Sequence, residues 1–346
     1  MVFYDAGVTD ADLIVTDGKS LGRGGAAGSQ YLSRKSGLVL SPGMAKIIEE
    51  FALIKSHTLS LPKRVTIMDV SPRDGLQGES VIVPTEKKVA LIHALIDAGV
   101  RKIEATSFVS PKWVPQMADA EAVLQAIGRR EDVSIVVLVP NEKGYERARA
   151  IGLVSEIGFV IGATESMNRK NVNMAIADSL QQFASLVEKT KADGVFTRGT
   201  ISVSFICPYE GRVPKEQALG LADRLFELGA DEVCLADTIG RATPDHVYEL
   251  FSRLKERWPD KSLAGHFHDT YQHALANTVA AMQAGVNYFD SAVGNLGGCQ
   301  FAKGSTGNVA TERLVYLLDG MGIETGIDYE KIAEVGRQAV RLIAPE

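Results

Sequence analysis

A barrel of eight βα units, the (β/α)8 or TIM barrel, preceded by an N-terminal extension, is the fold class that the sequence predicts. From Lys63 onward, short runs rich in Val and Ile alternate with longer segments of helical spacing. Eight βα units over about 250 residues match the usual size of this barrel. The runs are Val65–Val70, Lys102–Thr106, Val133–Val139, Glu156–Ile161, Gly199–Ser204, Glu232–Ala236, Ser262–His266 and Tyr288–Ser291.

The first sixty residues differ from the rest in composition, so we predict an extension over 1–60 and a catalytic barrel over 61–346. A Gly/Ser-rich patch from Gly18 to Ser33 is typical of flexible chain. After Ser41 and Pro42, apolar residues at helical spacing predict one helix over Met44–Ile54. We place no catalytic residue in this extension.

The first βα unit shows how the barrel pattern continues along the chain. Over Glu86–Ala98, apolar residues fall on one face of a predicted helix, and Gly99 follows as a stop signal. Gly229 and Gly285 follow the helical segments before the sixth and eighth runs in the same way. The repeated step from helix to glycine to strand supports one continuous barrel.

The overall composition favours a small-molecule partner. The chain has 346 residues, 45% of them hydrophobic, which is enough for a sizeable core. A net charge of −6 without any Lys/Arg block argues against nucleic acid or an anionic membrane as partner. No apolar run reaches the roughly 18 residues that a transmembrane helix needs.

The cysteines and the N-terminus favour the cytoplasm. Cys207, Cys234 and Cys299 form no CxxC pair, which is typical of a reducing compartment. The acids Asp5 and Asp10 come early, and no basic segment precedes an apolar core, so we expect neither a signal peptide nor a transit peptide.

Two histidines one residue apart end the seventh run. Alternate residues of an extended strand face the same side, so His266 and His268 can both point at one metal ion. Two histidines at a strand end can equally be hydrogen-bonded structural residues. Further ligands at the same place are therefore needed before a metal site is indicated.

Other polar residues follow the remaining runs, and a closed barrel brings the carboxyl ends of all its strands together. A doubly wound sheet would not usually collect groups from the first, second, sixth, seventh and eighth strands. We therefore expect one site from these groups. They are Arg73, Asp74, Glu104, Ser107, Asp237, Thr238, His266, His268, Cys299 and Asn308.

Within this set, four side chains form a mixed oxygen and nitrogen ligand set. Asp74 offers a carboxylate, His266 and His268 offer imidazoles, and Asn308 offers an amide oxygen. Such a set favours Mg²⁺ or Mn²⁺, with Zn²⁺ also possible. Taken singly, Asp74 also fits a turn residue and Asn308 a helix cap.

Four segments carry a resemblance to a known family: Ser71–Gln77, Glu104–Met117, His266–Tyr271 and Gly297 to Asn308. They resemble the 3-hydroxy-3-methylglutaryl-CoA lyase family, which belongs to the TIM-barrel metal-dependent lyases and aldolases. Arg-Asp-Gly and His-x-His alone are similar in isopropylmalate and homocitrate synthases and in 4-hydroxy-2-oxovalerate aldolases, whereas the second segment and the cysteine loop point to the lyase branch. The resemblance runs from about Lys63 to about Gly336.

The resemblance implies a retro-Claisen cleavage of 3-hydroxy-3-methylglutaryl-CoA to acetyl-CoA and acetoacetate, as in leucine degradation, by a homo-oligomer such as a dimer or tetramer. It implies a divalent metal, Mg²⁺ or Mn²⁺, with these ligands: Asp74, His266, His268 and Asn308. The implied catalytic groups are Arg73, Glu104, Asp237, His266 and Cys299. The implied substrate-binding residues are Arg73, Gln77 and Ser107.

The sequence departs from the family pattern where substrate binds. Gln272 stands where the family usually has Gly, and Gln300 stands where it has Pro. The family's Ser-Lys tail near the C-terminus also has no counterpart. A lyase for a related 3-hydroxyacyl-CoA, such as citramalyl-CoA or a longer-branched analogue, is therefore the first alternative. A Claisen-condensing transferase of the isopropylmalate synthase type and a non-catalytic binding barrel are less favoured.

Overall fold

The computed structural model describes residues 61–298 and 307–344, together with two short strands near the N-terminus. The chain divides into two units, residues 1–60 and residues 61–346. In the first unit, β1 (Leu13–Thr16) pairs antiparallel with β2 (Gln30–Ser33). β2 takes the last four residues of the patch that composition predicted to be flexible. Those four residues contain no Gly, and backbone pairing with β1 orders them. The helix predicted over Met44–Ile54 lies outside the described residues.

The second unit contains the predicted barrel. Eight parallel strands close in the order β10-β11-β12-β3-β4-β5-β6-β7. A two-residue antiparallel hairpin, β8 (Ile206–Cys207) with β9 (Gly211–Arg212), follows β7. The barrel strands are β3 Thr66–Asp69, β4 Lys102–Ser107, β5 Ser134–Leu138, β6 Glu156–Gly162, β7 Phe196–Ser202, β10 Glu232–Asp237, β11 Ser262–Phe267 and β12 Tyr288–Ser291.

The fifth barrel strand differs from its predicted limits. The run of Val and Ile predicted Gly199–Ser204, whereas β7 spans Phe196–Ser202. The strand begins earlier because Thr197 and Arg198, polar in sequence, are both buried. It ends earlier because Val203 has a φ of 51°, which no extended strand can continue.

Helices follow the strands and form the outer layer. The spacing predicts an apolar face of Val89, Ile92, Leu95 and Ile96 on the first of them. The last three are buried together with Leu91, whereas Val89 is partly buried. None of the helices in the described part of the chain has the length and apolar character to cross a membrane. They are α1 Thr85–Asp97, α2 Ala120–Ile127, α3 Glu142–Ile151, α4 Glu165–Val172, α5 Ile176–Asp193, α6 Lys215–Leu228, α7 Pro244–Arg257, α8 Ala274–Gln283, α9 Thr311–Gly320 and α10 Tyr329–Leu342.

The inside of the barrel holds a series of buried charges, where branched apolar residues usually fill such barrels. Lys102 Nζ lies 2.9 Å from Glu156 and 3.6 Å from Glu232, between the rings of Phe196 and Tyr288. Above them, Arg198 reaches across from β7 to both carboxylate oxygens of Asp290 on β12, at 2.8 and 2.7 Å. We call this set the charge column: Lys102, Glu156, Glu232, Arg198 and Asp290.

Candidate active site

A short π-helical turn after β3 sets the first two residues of the site. The turn spans Ser71–Gly75, and the Gly75 N–H donates to the Val70 carbonyl at 3.0 Å. The Ser71 hydroxyl accepts from the Val293 N–H at 2.8 Å, which fixes the turn to the segment after β12. Such irregular turns are frequent at functional sites, and this one puts Arg73 and Asp74 at the carboxyl end of the barrel.

Asp74, His266 and His268 converge at this end of the barrel. One ligand atom from each of the three lies within 4.8 Å of the other two. The imidazole rings of His266 and His268 have their centroids 5.3 Å apart. His266 lies in β11 and His268 directly follows that strand. The structure therefore brings together three of the four side chains that the sequence predicts as metal ligands.

Asn308 lies beside the same three residues. Its Nδ2 donates to Asp74 Oδ2 at 2.9 Å and to the Leu296 carbonyl at 3.1 Å. Its Oδ1 is buried and has no hydrogen-bond partner within the part of the chain that the structure describes. A buried oxygen without a donor is costly unless a ligand occupies it. The donor set of Asp74, His266, His268 and Asn308 therefore fits a divalent cation such as Mg²⁺ or Mn²⁺.

Charge also favours a cation at Asp74. Burial alone raises the pKa of the Asp74 carboxyl, but Arg73, His266 and His268 together lower this pKa to about 2. The carboxyl is therefore ionised at physiological pH, and protons do not compete with a cation for its oxygens.

Arg73 is held between two carboxylates. Its Nε and Nη2 lie 2.6 and 2.5 Å from Glu104 Oε2, and its Nη1 lies 2.6 Å from Asp74 Oδ1. Burial raises the pKa of Glu104, although the Arg73 charge opposes that rise. Charge-assisted bonds of this length fix the guanidinium next to the predicted metal ligands. Glu104, predicted as catalytic, thus contacts the site through Arg73.

Asp237 ends β10 near the two histidines. Its Oδ1 accepts from the Arg241 N–H at 3.0 Å, and its Oδ2 accepts from the Ala242 N–H at 2.8 Å. Burial raises the pKa of Asp237 to about 6, although these two bonds oppose the rise. The carboxylate therefore shapes the loop after β10, and its predicted catalytic role stays a prediction.

Gln77, Ser107 and Cys299 complete the predicted catalytic and substrate-binding residues. Gln77 Nε2 donates to Asp74 Oδ1 at 3.1 Å, so this side chain lies at the site. Ser107, at the end of β4, has a buried hydroxyl with no hydrogen-bond partner in the described segments. Cys299 lies outside the described residues, and its role stays a prediction. Cys207 and Cys234 are buried free thiols.

Three non-glycine residues in the described loops after barrel strands have a positive φ: Val203, Gln272 and Asn295. Val203, directly after β7, has a φ of 51°, and its N–H donates to Thr238 Oγ1 at 2.8 Å. Gln272 has a φ of 60° at the position where the family usually has Gly. A β-branched residue in this region is strained by about 1–3 kcal/mol, and such strain concentrates at functional sites. Sequence patterns gave no sign of Val203.

Gly297 packs directly against Asn308, which gives a test of how the site is held. A Cβ on Gly297 would lie 2.5 Å from Asn308 Nδ2 and 3.0 Å from the Asp74 carbonyl. We expect Gly297→Ala to displace the Asn308 amide and to weaken Mn²⁺ binding by roughly tenfold or more. Calorimetric titration of the metal-free protein measures this change.

Gly128→Ala is the matched control for this variant. Gly128 also has a positive φ, 71°, but no atom lies within 4 Å of its added Cβ. Both variants therefore carry backbone strain of about 1–3 kcal/mol, because each adds a Cβ to a residue with a positive φ, and only one of them disturbs Asn308. Equal Mn²⁺ affinity in the two variants would contradict the role of Gly297.

The chain matches known proteins over the whole barrel. The HMGL-like family model matches residues 64–339. The mitochondrial hydroxymethylglutaryl-CoA lyase of Rattus norvegicus is 47% identical over 277 residues, which cover 80% of this chain and 85% of that protein. The cytoplasmic 3-hydroxy-3-methylglutaryl-CoA lyase of Danio rerio is 49% identical over 281 residues, covering 81% and 84%.

A solved structure agrees with these matches. The hydroxymethylglutaryl-CoA lyase from Pseudomonas aeruginosa superposes with a TM-score of 0.79 at 42% identity, covering 83% of this chain and 95% of that one. The resemblance that the motifs carry is thereby confirmed over full-length barrels. This chain belongs to the HMGL-like family.

Proposed function

We propose that this protein is a carbon–carbon lyase that cleaves 3-hydroxy-3-methylglutaryl-CoA to acetyl-CoA and acetoacetate. The observation that carries the proposal is the convergence of Asp74, His266 and His268 with the fixed Arg73 beside them. The similarity of this chain to hydroxymethylglutaryl-CoA lyases across the whole barrel supports the choice of substrate.

The reaction needs three events, and the site has groups for each. The hydroxyl on C3 loses its proton, the C2–C3 bond breaks while the C3 oxygen becomes a ketone, and the electron pair forms the acetyl-CoA enolate. That enolate then takes a proton on carbon. A base, a stabiliser of negative oxygen and a proton donor are therefore required.

A divalent cation held by Asp74, His266, His268 and Asn308 would supply Lewis acidity toward the substrate's hydroxyl and carboxylate oxygens. Mg²⁺ or Mn²⁺ suits this donor set, and Zn²⁺ remains compatible with it. Arg73 is permanently charged, and Glu104 and Asp74 fix its guanidinium. It is therefore placed to donate hydrogen bonds to the enolate oxygen.

The hydroxyl proton has two candidate acceptors, His266 and Asp237. Both lie at the carboxyl ends of neighbouring strands, since His266 pairs in register with Ala236. Asp237 already accepts two backbone N–H bonds. A neutral His266 has one unprotonated ring nitrogen, which can accept the proton only if it does not bind the cation. Comparing the pH profiles of Asp237→Asn and the parent enzyme distinguishes them, because loss of the base removes the acidic limb of the profile.

The test of the function is a coupled assay of acetoacetate and acetyl-CoA release by the purified protein. We expect turnover that disappears after exhaustive chelation and returns with Mg²⁺ or Mn²⁺, because the Asp74/His266/His268 cluster is the only group of three metal-binding side chains found among the described residues. Full turnover in a sample shown by elemental analysis to hold no metal would contradict the assignment.

A related 3-hydroxyacyl-CoA is the second candidate substrate. The specific observation is Gln272, which keeps the left-handed backbone of a usual glycine while adding a side chain beside Tyr271. Such a side chain can change the space for the acyl group. Assaying a panel of 3-hydroxyacyl-CoA thioesters, including citramalyl-CoA, decides between the two candidates by their kcat/KM values.

Cys299 is the proposed proton donor to the enolate carbon. We expect Cys299→Ser to fold normally and to lose turnover by roughly 100-fold or more, because a hydroxyl has a far higher pKa than a thiol. Bound substrate should also slow inactivation by thiol reagents. The control is Cys207→Ser, at a buried thiol 3.2 Å from Thr164 Oγ1, which should keep its activity. Near-normal turnover in Cys299→Ser would remove the role.

Two further properties belong to the proposal. We place the enzyme in the cytoplasm, as in its Danio rerio relative, and subcellular fractionation tests this against the mitochondrial location of the Rattus norvegicus relative. We also expect a homo-oligomer, a dimer or a tetramer, and light scattering of the purified protein measures this.

A further inference from the structure

His266 has a partner that neither the motif nor the predicted ligand set includes. Its Nδ1 lies 3.0 Å from Asp290 Oδ2, on the neighbouring strand β12. His266 and Asp290 are also paired in the register of β11 and β12, so the strands themselves hold the two side chains together. Both side chains are buried.

Arg198 holds Asp290 from the opposite side. Its Nη2 donates to both oxygens of Asp290, at 2.8 and 2.7 Å, and its Nη1 lies 3.5 Å from Glu232. β7 and β12 are not neighbours in the barrel, so this pair spans its interior. Asp290 is thus held between a permanent cation and an imidazole, and the Cys234 Sγ lies 3.9 Å from its Oδ2.

These contacts decide which nitrogen of His266 carries the proton. An ionised carboxylate can only accept hydrogen bonds, so a neutral His266 must donate from Nδ1 to Asp290. Nε2 is then the nitrogen with a free electron pair. A histidine binds a metal ion through such an unprotonated nitrogen, and its orientation depends on the bond that the other nitrogen makes.

We propose that Arg198 and Asp290 are positioning residues that hold His266 in the Nδ1–H form and direct its Nε2 toward the divalent cation. The proposal rests on the proposed metal-dependent function. It links the charge column inside the barrel to the ligand cluster at its mouth, through Glu232, Arg198, Asp290 and His266 in turn.

Asp290→Asn tests the proposal with almost no change of shape. Arg198 contacts both oxygens of Asp290, and His266 contacts only Oδ2. Asn has one oxygen and no charge, so its NH₂ meets a donor in either orientation and the bond that holds the Nδ1–H form of His266 is weakened or lost. The form with its proton on Nε2 then becomes populated, and that nitrogen has no electron pair for a metal ion. We expect Mn²⁺ to bind roughly 10–100-fold more weakly, as for other partners of metal-binding histidines. The readout is free Mn²⁺, measured by electron paramagnetic resonance, in the full-length protein.

Glu156→Gln is the matched control. Glu156 is a buried carboxylate of the charge column that contacts Lys102 and makes no hydrogen bond or ion pair to Arg198 or His266 within the described chain. This variant also replaces a buried carboxylate by an amide, so it measures the general effect of that loss on the melting temperature. We expect its Mn²⁺ affinity to equal that of the parent protein. Equal affinity in Asp290→Asn and Glu156→Gln would overturn the proposal.

A measurement on the unaltered protein covers the case in which Asp290→Asn does not fold. Histidine-selective ¹⁵N labelling gives twelve ring-nitrogen signals in six pairs, because the sequence contains six His. At a pH where His266 is neutral, we expect its protonated nitrogen to be Nδ1 and added Mg²⁺ to shift Nε2. A neutral form with the proton on Nε2 would overturn the proposal. Normal Mn²⁺ binding without lyase activity would instead contradict the proposed function alone.

Discussion

Replacing Arg73 by Gln is expected to leave the metal bound and to lower kcat by roughly 10²–10³-fold, a loss of about 3–4 kcal/mol in stabilisation of the transition state. Arg73 is fixed by Glu104 and Asp74 and lies next to the metal-binding cluster without belonging to it. Its charge is therefore available to the enolate oxygen, which becomes negative only during the reaction. Steady-state kinetics together with an Mn²⁺ titration measure both expectations.

The variant also removes the cation from a buried carboxylate, and this effect must be separated from catalysis. Glu104 loses its ion-pair partner, which is expected to lower the free energy of unfolding by about 3–5 kcal/mol. Adding Glu104→Gln removes that charge, so the double variant should regain melting temperature without regaining turnover. Arg224→Gln, at an exposed Arg of α6, is the control. Turnover that returns with stability would contradict the role in enolate stabilisation.

His268→Ala is expected to weaken divalent metal binding by roughly 100-fold or more, which exceeds the effect of losing a hydrogen-bond partner of a ligand. His268 is buried, and its ring lies against that of His266. Added metal at high concentration should restore part of the turnover. Calorimetry with Mn²⁺ gives the affinity, and activity against metal concentration gives the recovery.

His93→Ala is the control for that variant. His93 lies in α1, away from the carboxyl ends of the strands, and it belongs to no metal-binding group among the described residues. Its removal should change neither affinity nor turnover. If His268→Ala kept the parent Mn²⁺ affinity, His268 would not be a metal ligand, and the ligand set would have to be assigned again.

The sequence predicted the barrel because its strands repeat and its helices end in glycine. It also predicted that Asp74 and His266 meet, although they are far apart in sequence. The reason is that all eight parallel strands of a closed barrel end at one face. This inference needs only the positions of the strand ends and the number of βα units that close the barrel. Both can be read from the pattern of a single sequence.

Contacts between side chains inside the barrel could not be predicted from such patterns. Arg198 and Asp290 lie on strands that are not neighbours, so their contact appears only once the barrel has closed. Arg198 also caused the predicted start of β7 to be placed too late. A charged residue is usually exposed, so it was not expected inside a buried strand. β7 and β12 each contain a single charged residue, and the two have opposite signs, which is the signal that the sequence offers.

Asp237 shows a different limit. Its position at a strand end correctly predicted that it would lie near the histidines. Its two bonds to the N–H groups of Arg241 and Ala242 depend on the path of the following loop, which spacing does not define. Residue type and strand position therefore locate a carboxylate, whereas its hydrogen bonds require coordinates.

The charge column changes how inherited or engineered variants of this barrel should be classified. In most such barrels, the amino ends of the strands serve stability and the carboxyl ends serve catalysis. Arg198 is the third residue of a seven-residue strand, nearer its amino end, yet it is only one side chain away from His266. A variant there would be diagnosed as a folding defect from position alone. We expect such a variant to lose metal affinity as well as stability, because Asp290 and Glu232 lose their buried partner. Recovery of activity on addition of metal would separate the two effects.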